Sequence, residues 1–571
     1  MNESAEAAPT ADPGPASPDD ASATTVGDEP APSADLPAAA EATEATPEDT
    51  SPESSDTESS DTESSDTEAT GTTTEATGTT TEAASEATAA VTVAEAADEE
   101  PEDEPGGGGR SRLVRWTPWI IAGLFFVAYS ALSLIRYWRM GFQSPDVTVF
   151  EQAIRNYAHF RAPIVDIKGP DFNHLGDHFH PLMVLMAPLY RLIPDPGTLL
   201  VQQSFLFALS IVPVARLAMR RLGTASGVCL GLAYGLSWGL QNAVNFDFHE
   251  ICFGVPIMAF SLEAFLDRRW RACAVWALLL LLVKEDLGIT VAVIGFLLFI
   301  RRQRLLGAAV SASGIAAFFL IIFVVIPHFN PEGKYPYLEQ GGGTDVTPWG
   351  LLLEMVDNRT KIWTLIFLFG ITAFLALGSP LTLLVLPTIV WRFHSTNDAY
   401  WGRDWHYSAI LMPIVFLAML DVLTRMKGAR RDWIRAYALR VPAVVLTIAV
   451  MLCAYFPFKD FISPATYQKR ERQVAAEAAI AAIPEGSIVG SDQALLPYLA
   501  HRADRLFLIG NSGDFRPEYL IVDTRDWTHE PDLLQWVDSL YENTRYTMIF
   551  TRENYQVFRR SYPPVQPEPA S

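Results

Sequence analysis

Five short stretches of this sequence concentrate the groups that can move a proton or hold an anion. The first is Asp146 in GFQSPDVTVFEQAI, behind Ser144 and Pro145 and ahead of an amphipathic run. A carboxylate at that point has two readings. It caps a helix by accepting free amides of the first turn, or it is a general base held close to lipid, placed to take a proton from an acceptor hydroxyl. The second stretch, FNHLGDHFHPLM (172–183), packs Asn173, His174, Asp177, His178 and His180 into eight residues. His174 and His178 stand four apart, with Asp177 beside them. That spacing suits a divalent metal such as Mg or Mn. It equally suits hydrogen bonds to a phosphate or a sugar, or a polar turn that satisfies its own backbone.

The third stretch, NFDFHE (245–250), carries Asp247, His249 and Glu250. The fourth, VKEDLG (283–288), sets Lys284, Glu285 and Asp286 between two apolar runs. An ionised side chain in mid-helix costs on the order of 2.5–3.5 kcal/mol even on the lenient scale. Three in a row therefore require water, a partner or a ligand. They fit a turn at the membrane surface, or a cationic Lys284 that receives a phosphate with acids beside it. The fifth, WRFHSTNDAYWGRDWHY (391–407), interleaves His394, Asp398, Arg403, Asp404 and His406 with Trp391, Tyr400, Trp401, Trp405 and Tyr407. Aromatics of this density form an interfacial belt, or they stack on sugar rings while Arg403 holds a phosphate bidentately.

The elements that must position these groups are apolar. A spanning helix needs about 20 mostly apolar residues. Eleven segments are candidates: 116–135, 197–217, 224–241, 251–267, 270–283, 287–300, 306–326, 361–378, 379–391, 407–424 and 440–457. The pairs around Asp286 and Ser379 are short enough to be re-entrant. Arginine-rich loops, RRLG (220–223), DRRWR (267–271), RRQR (301–304) and RMKGARRDWIR (425–435), alternate with loops rich in His, Asp and Glu. Under the positive-inside rule the arginine loops face the cytoplasm. All ten histidines then fall outside: His159, His174, His178, His180, His249, His328, His394, His406, His501 and His529. One polar chamber at the outer mouth of the bundle would explain that sorting.

Residues 136–196 read as a long first outer loop. It has an amphipathic stretch (147–160) and an apolar stretch (179–193), both expected to lie at the interface. The Gly- and Pro-rich loop 327–350 reads as a mobile flap. From 465 to 571 alternation and turn signals replace the apolar runs, predicting a small extracytoplasmic α/β domain. It shows no nucleotide loop or nucleophile motif. Residues 1–109 hold 29 of the 66 acidic residues and no Lys or Arg, so the net charge of −24 belongs to this tail. The tail is built of Ala, Thr, Ser, Glu and Pro, with three copies of SSDTE and two of EATGTTT. Too little apolar surface is available there to offset chain entropy, which predicts disorder. The expected organisation is a disordered acidic cytoplasmic tail (1–110), a multi-span membrane domain (111–464) and the outer domain (465–571). The first span, behind Arg110, Arg112 and Arg115, reads as a signal anchor with a cytoplasmic N-terminus. The cysteines, Cys229, Cys252, Cys273 and Cys453, lie in apolar runs without CxxC spacing and predict neither a disulfide framework nor a thiolate metal site. No nucleic-acid partner is expected.

Several of these motifs resemble a bacterial family of predicted membrane proteins, domain-of-unknown-function family 2079. They are GFQSPDVTVFEQAI, NHLGDHFHPLMVLMAPLYRL, DFHE, KED, RDWHYSAILMP and IPEGSIVGSDQALLPYLAHRADRLFLI, and the likeness runs over about 120–560. The wider layout, about eleven spans with a long first outer loop and a soluble outer domain, resembles GT-C-class membrane glycosyltransferases. That resemblance implies a bacterial plasma-membrane enzyme that moves a sugar from a polyprenyl-phosphate donor to an envelope glycan, lipid or protein. Asp146 matches the first-loop carboxylate of that class and Glu151 is a helper candidate. The adjacent DD, DE or DxD pair that many members carry is absent. In such an enzyme Lys284 and Arg403, read above from their own charge and geometry, would hold the phosphate. His174, His178, His249 and His406 would orient phosphate or sugar, or hold a metal together with Asp177. His180, Asp247, Glu250, Glu285, Asp286 and Asp404 complete the expected substrate site. A transporter or flippase for a lipid-linked glycan, a non-enzymatic envelope assembly protein and a metal-dependent lipid phosphatase are the rival expectations.

Overall fold

The computed structural model describes residues 107–561 apart from 143, 339–346, 526–531 and 542. The expected disorder of the tail and the position of His529 lie outside the described residues. The first helix, Gly107–Trp138, starts inside the glycine run rather than after it.

Among the described residues, five helices are long and apolar enough to cross a membrane: Val114–Trp138, Pro196–Leu222, Arg304–Phe329, His406–Lys427 and Asp432–Leu452. Four more apolar helices are shorter: Pro181–Leu192, Ile251–Leu266, Trp270–Leu282 and Leu287–Ile300. Eleven full spans are thus more than the chain builds among the described residues. At 1.5 Å per residue, 14 residues cover only about 21 Å of a hydrocarbon core of about 30 Å. Sequence punctuation is the cause. The KED turn divides 270–282 from 287–300, and 371–385 runs through short 3-10 turns around Ser379 and Pro380 before the helix Leu386–His394.

Small residues bring Leu287–Ile300 and Arg304–Phe329 together. A Cβ on Gly295 would stand 2.4 Å from the amide nitrogen of Ser311, so any side chain there would push the two helices apart. This contact fixes both ends of the pair, the KED turn at one and the RRQR turn at the other.

At the arginine-rich end, the loops that the charge pattern singled out do meet. Arg216 binds Glu263 at 2.6 Å, Arg220 and Arg221 bind Asp267 at 2.6 and 3.0 Å, and Lys427 donates to the Arg221 carbonyl.

The first loop is more deeply packed than its pattern suggested. In the helix Asp146–Ala158, nine of 13 residues are buried. It packs against the C-terminal sheet. Gln152 donates to the Leu506 carbonyl, and Arg155 donates to the carbonyls of Ala500 and Ala503. The sheet has five strands: β1 Ile488–Ser491, β2 Arg505–Leu508, β3 Tyr519–Asp523, β4 Tyr546–Arg552 and β5 Tyr555–Arg560. Their order is β2-β1-β3-β5-β4. Strands β2, β1 and β3 run parallel, and β5 and β4 close the sheet as an antiparallel hairpin. Arg505 on β2 grips Asp166 of the first loop at 2.8 Å, which ties the sheet to the loop that carries the candidate site.

Candidate functional site

The helix start at Ser144–Pro145–Asp146 sets the first group. Asp146 occupies the first helical turn, and its carboxylate accepts from the Ser144 hydroxyl at 2.6 Å. Its other partner is His249, whose Nε2 stands 3.2 Å away. Burial pushes the Asp146 carboxyl up, but the hydrogen bond and charge of His249, with Ser144, outweigh it and hold the group below the ordinary Asp range. The Asp146 side chain keeps 36% of its exposure, against 5% for Asp177 and 1% each for Glu250 and Glu285. Of these four carboxylates, Asp146 is the one an incoming molecule can reach.

His249 is positioned from the helix Trp238–Phe246 and the turn that follows it. Gln203 braces that turn, accepting from the His249 amide at 3.0 Å and donating to the Asp247 carbonyl at 2.6 Å. The ring of His249 stacks on His406, centroids 3.5 Å apart, and Phe246 lies over both. The Nδ1 atoms of His249 and His406 are both buried without a hydrogen-bond partner. Asp247 is buried, and burial together with the neighbouring Asp146 charge raises its carboxyl well above the usual range.

Phe150, one turn into the helix after Asp146, is the hub between two histidine groups. Its ring meets His249 at 5.8 Å, His174 at 5.4 Å and His180 at 5.7 Å. His174 and His180 form a buried hydrogen-bonded pair, Nδ1 to Nε2 at 2.8 Å. Burial and the adjacent ring push His180 down to about 3, and burial lowers His174 as well, so both rings are neutral at pH 7.

His178 turns the other way. Its Nδ1 meets Glu285 at 2.8 Å, and that carboxylate also accepts from the Phe179 amide. Burial opposes charge on His178, yet Glu285 and Asp177 raise it above the usual histidine value. Lys284 binds Glu250 at 2.6 Å. Burial again opposes the charge, and Glu250, Glu285 and Asp286 raise the ammonium pKa regardless. Asp286 is pushed up to about 6 by burial, with Lys284 working against it.

The expected metal set does not assemble. One Asp177 oxygen lies 2.7 Å from Lys168 Nζ, with His174 Nε2 at 3.5 Å and His178 Nε2 at 3.9 Å. The Lys168 ammonium thus stands where a cation would. His174 is engaged by His180, and His178 by Glu285. Among the described residues no group of three or more His, Cys, Asp or Glu is arranged to hold a metal ion.

The loop after Phe329 also departs from expectation in its described part. It makes specific contacts with the cluster. Tyr337 donates to Asp177 at 3.0 Å and stacks on His178, Tyr335 donates to Glu285 at 3.2 Å, and Asn330 donates to the Gly176 carbonyl. A Cβ on Gly176 would stand 2.6 Å from the Asn330 amide nitrogen, so the crossing depends on glycine there. Residues 339–346 of that loop lie outside the described residues.

Three expected members fall elsewhere. Glu151 is buried on the far side of its helix, where its carboxylate accepts from Tyr190 and burial raises its pKa. The Arg403 guanidinium lies over the Phe367 ring at 4.4 Å, and Asp404 is exposed. The buried arginine of that stretch is Arg392, which donates to the carbonyls of Tyr400 and Gly402 and to Ser408, and so shapes the loop that presents His406. His159 and His501 are exposed, and His394 pairs with Glu354. Five of the nine described histidines therefore share the cluster. Lys168, Phe150, Gln203, Tyr335 and Tyr337 escaped the sequence reading. Lys168 left a signal, since it and Lys284 are the first two lysines of an arginine-dominated chain.

These helices and this buried polar end define a polytopic helical membrane protein. The chain belongs to the predicted membrane protein family DUF2079, whose model matches residues 136–557. Two solved structures are similar to it. ArnT from Cupriavidus metallidurans bound to undecaprenyl phosphate has 15% identity and a TM-score of 0.45, over 79% of this chain and all of that one. The same protein in the apo state has 15% identity and a TM-score of 0.41, over 76% and 97%. No curated protein matches this sequence.

Proposed function

We propose that this protein is a membrane glycosyltransferase of GT-C type that uses Asp146 as its general base. It would transfer a sugar from a polyprenyl-phosphate donor to an envelope acceptor at the outer face of the bacterial plasma membrane. The observation that carries this reading is the exposure of Asp146 beside His249, in a cluster where Asp177, Glu250 and Glu285 are all but buried and paired. The arginine-rich loops at the opposite end favour placing this end outside.

In the proposed step the acceptor hydroxyl gives its proton to Asp146 as its oxygen forms a bond to the sugar C1. The bond from C1 to the phosphate oxygen breaks, its electron pair leaves with the polyprenyl phosphate, and the anomeric configuration inverts. His249 orients the base. Lys168 and Lys284, 26% and 14% exposed in their side chains, are the cations nearest to hand for the leaving phosphate, in place of the expected Arg403. Neutral His174 and His180 offer nitrogen donors or acceptors without adding charge.

The test is transfer from radiolabelled polyprenyl-phosphate sugars to a membrane extract by the purified protein in lipid. Wild type and Asp146→Asn would be compared, with and without a chelator. Turnover by wild type that is lost in Asp146→Asn supports the assignment. Equal turnover in the variant, or none from wild type with any donor, overturns it.

A further inference from the structure

The arginine-rich end holds a feature that the transfer reaction leaves unused. A cavity of about 940 Å³ opens between the turn that joins Ile251–Leu266 to Trp270–Leu282 and the turn that joins Leu287–Ile300 to Arg304–Phe329. Arg269, Arg271, Arg302 and Arg304 line it together with Trp270 and Leu305. The arginines belong to two sequence-distant turns, and the glycine-mediated contact between Leu287–Ile300 and Arg304–Phe329 holds the second turn in place.

Charge balance at this end is uneven. Glu263 and Asp267 already bind Arg216, Arg220 and Arg221 at 2.6–3.0 Å. Arg269 reaches those same acids only at 3.6 and 3.7 Å, and Arg271, Arg302 and Arg304 are exposed. Arg271, Arg302 and Arg304, with the loosely paired Arg269, thus line a space in which no carboxylate is among the lining residues. A phosphoryl group would relieve their mutual repulsion, and guanidinium forks match its oxygens.

The rest of the lining selects what carries the phosphoryl group. Leu305 is 86% exposed, and Ile300 and Phe299 beside the turn are 48% and 45% exposed. A soluble anion leaves that apolar surface uncovered, whereas acyl chains cover it. Basic pockets between membrane helices are suited to anionic lipid headgroups.

We propose that this cavity is a binding site for an anionic phospholipid, its phosphodiester held by the four arginines and its acyl chains lying along Trp270 and Leu305. The site is separate from the histidine cluster and does not rest on the transferase reading.

The test titrates the purified full chain in neutral detergent with dioleoyl phosphatidylglycerol, read by native mass spectrometry. Arms with dioleoyl phosphatidylcholine and with glycerol 3-phosphate separate anionic lipid from any lipid and from a free phosphate. At about 1 kcal/mol per basic residue, the double variant Arg271→Gln/Arg304→Gln should bind phosphatidylglycerol about 30-fold more weakly. Arg430→Gln/Arg431→Gln, changed in the neighbouring loop outside the cavity, should bind as wild type does. A photoreactive phosphatidylglycerol on wild type should label peptides 269–272 and 302–306, a readout that does not depend on a variant folding. Equal affinity in the double variant, phosphatidylcholine binding as tightly, glycerol 3-phosphate competing equally well, or labelling elsewhere only would each overturn the site.

Discussion

The two ends of this helix bundle differ in how far their cations reach solvent. At the histidine-rich end, Glu250, Glu285 and Asp177 are all but buried, and each is matched to a specific cation or hydrogen-bond donor. At the arginine-rich end Glu263 is just as deeply buried, but its cationic partners and those of Asp267 are 36–53% exposed in their side chains, against 14–26% for Lys168, His178 and Lys284. Buried charges cost several kcal/mol each to desolvate and are held only by close pairing. Exposed arginines need no such pairing, so they can accumulate and await an anion. The first end is organised to hold groups at fixed positions, the second to attract.

That comparison can be broken or sharpened by substitution. The largest effect is expected at Asp146. Asp146→Asn should lower transfer by about 10²–10⁴-fold while leaving the melting temperature close to wild type, because the amide keeps the Ser144 contact. A matching fall in melting temperature would mean that the carboxylate is structural.

Next come the buried pairs. Glu250→Gln leaves the Lys284 ammonium without its closest counter-charge, and should cost about 3–5 kcal/mol in chemical unfolding. Lys284→Met together with Glu250→Gln should recover part of that loss.

A pH scan gives a smaller, signed effect. The folded Asp286 carboxyl holds its proton up to about 6, above the unfolded value of 3.8. Its contribution to stability is therefore complete below about 3.8 and is lost as the pH rises through about 6. The melting temperature of wild type relative to Asp286→Asn should fall over that window, since the variant lacks this one contribution while keeping those of the other carboxylates.

The smallest effect belongs to the opposite end. Asp267→Asn should cost about 0–1 kcal/mol, since its arginine partners are exposed and solvent replaces the lost pairs. A loss as large as that of Glu250→Gln would erase the contrast between the ends.

Much of the candidate site was legible because its residue types are costly in an apolar setting. The KED turn, the NFDFHE turn and the HLGDHFH stretch each stood out against apolar flanks, and the structure brings them into contact through His178–Glu285, Lys284–Glu250 and Asp146–His249. What failed was the direction in which each side chain points. Glu151 and Arg403 carry chemically suitable groups, but Glu151 turns to Tyr190 and Arg403 to Phe367. Lys168, Phe150 and Tyr337 are ordinary residues in isolation, and became site residues only through contacts with segments far away in the chain.

The sequence by itself determined the membrane character, the sorting of arginines from histidines and the presence of strands in the C-terminal segment, because hydropathy, charge and alternation are local properties that physics reads over a few residues; the strand order in the sheet was decided by tertiary contacts. Tertiary structure alone decided that five helices among the described residues have full spanning length, that the helix after Asp146 is buried against the sheet, that Lys168 rather than a third acidic or histidine ligand meets Asp177, and that four arginines from two turns line one cavity. Those outcomes depend on which distant surfaces meet, and a contact between residues a hundred positions apart leaves no periodic trace in either segment.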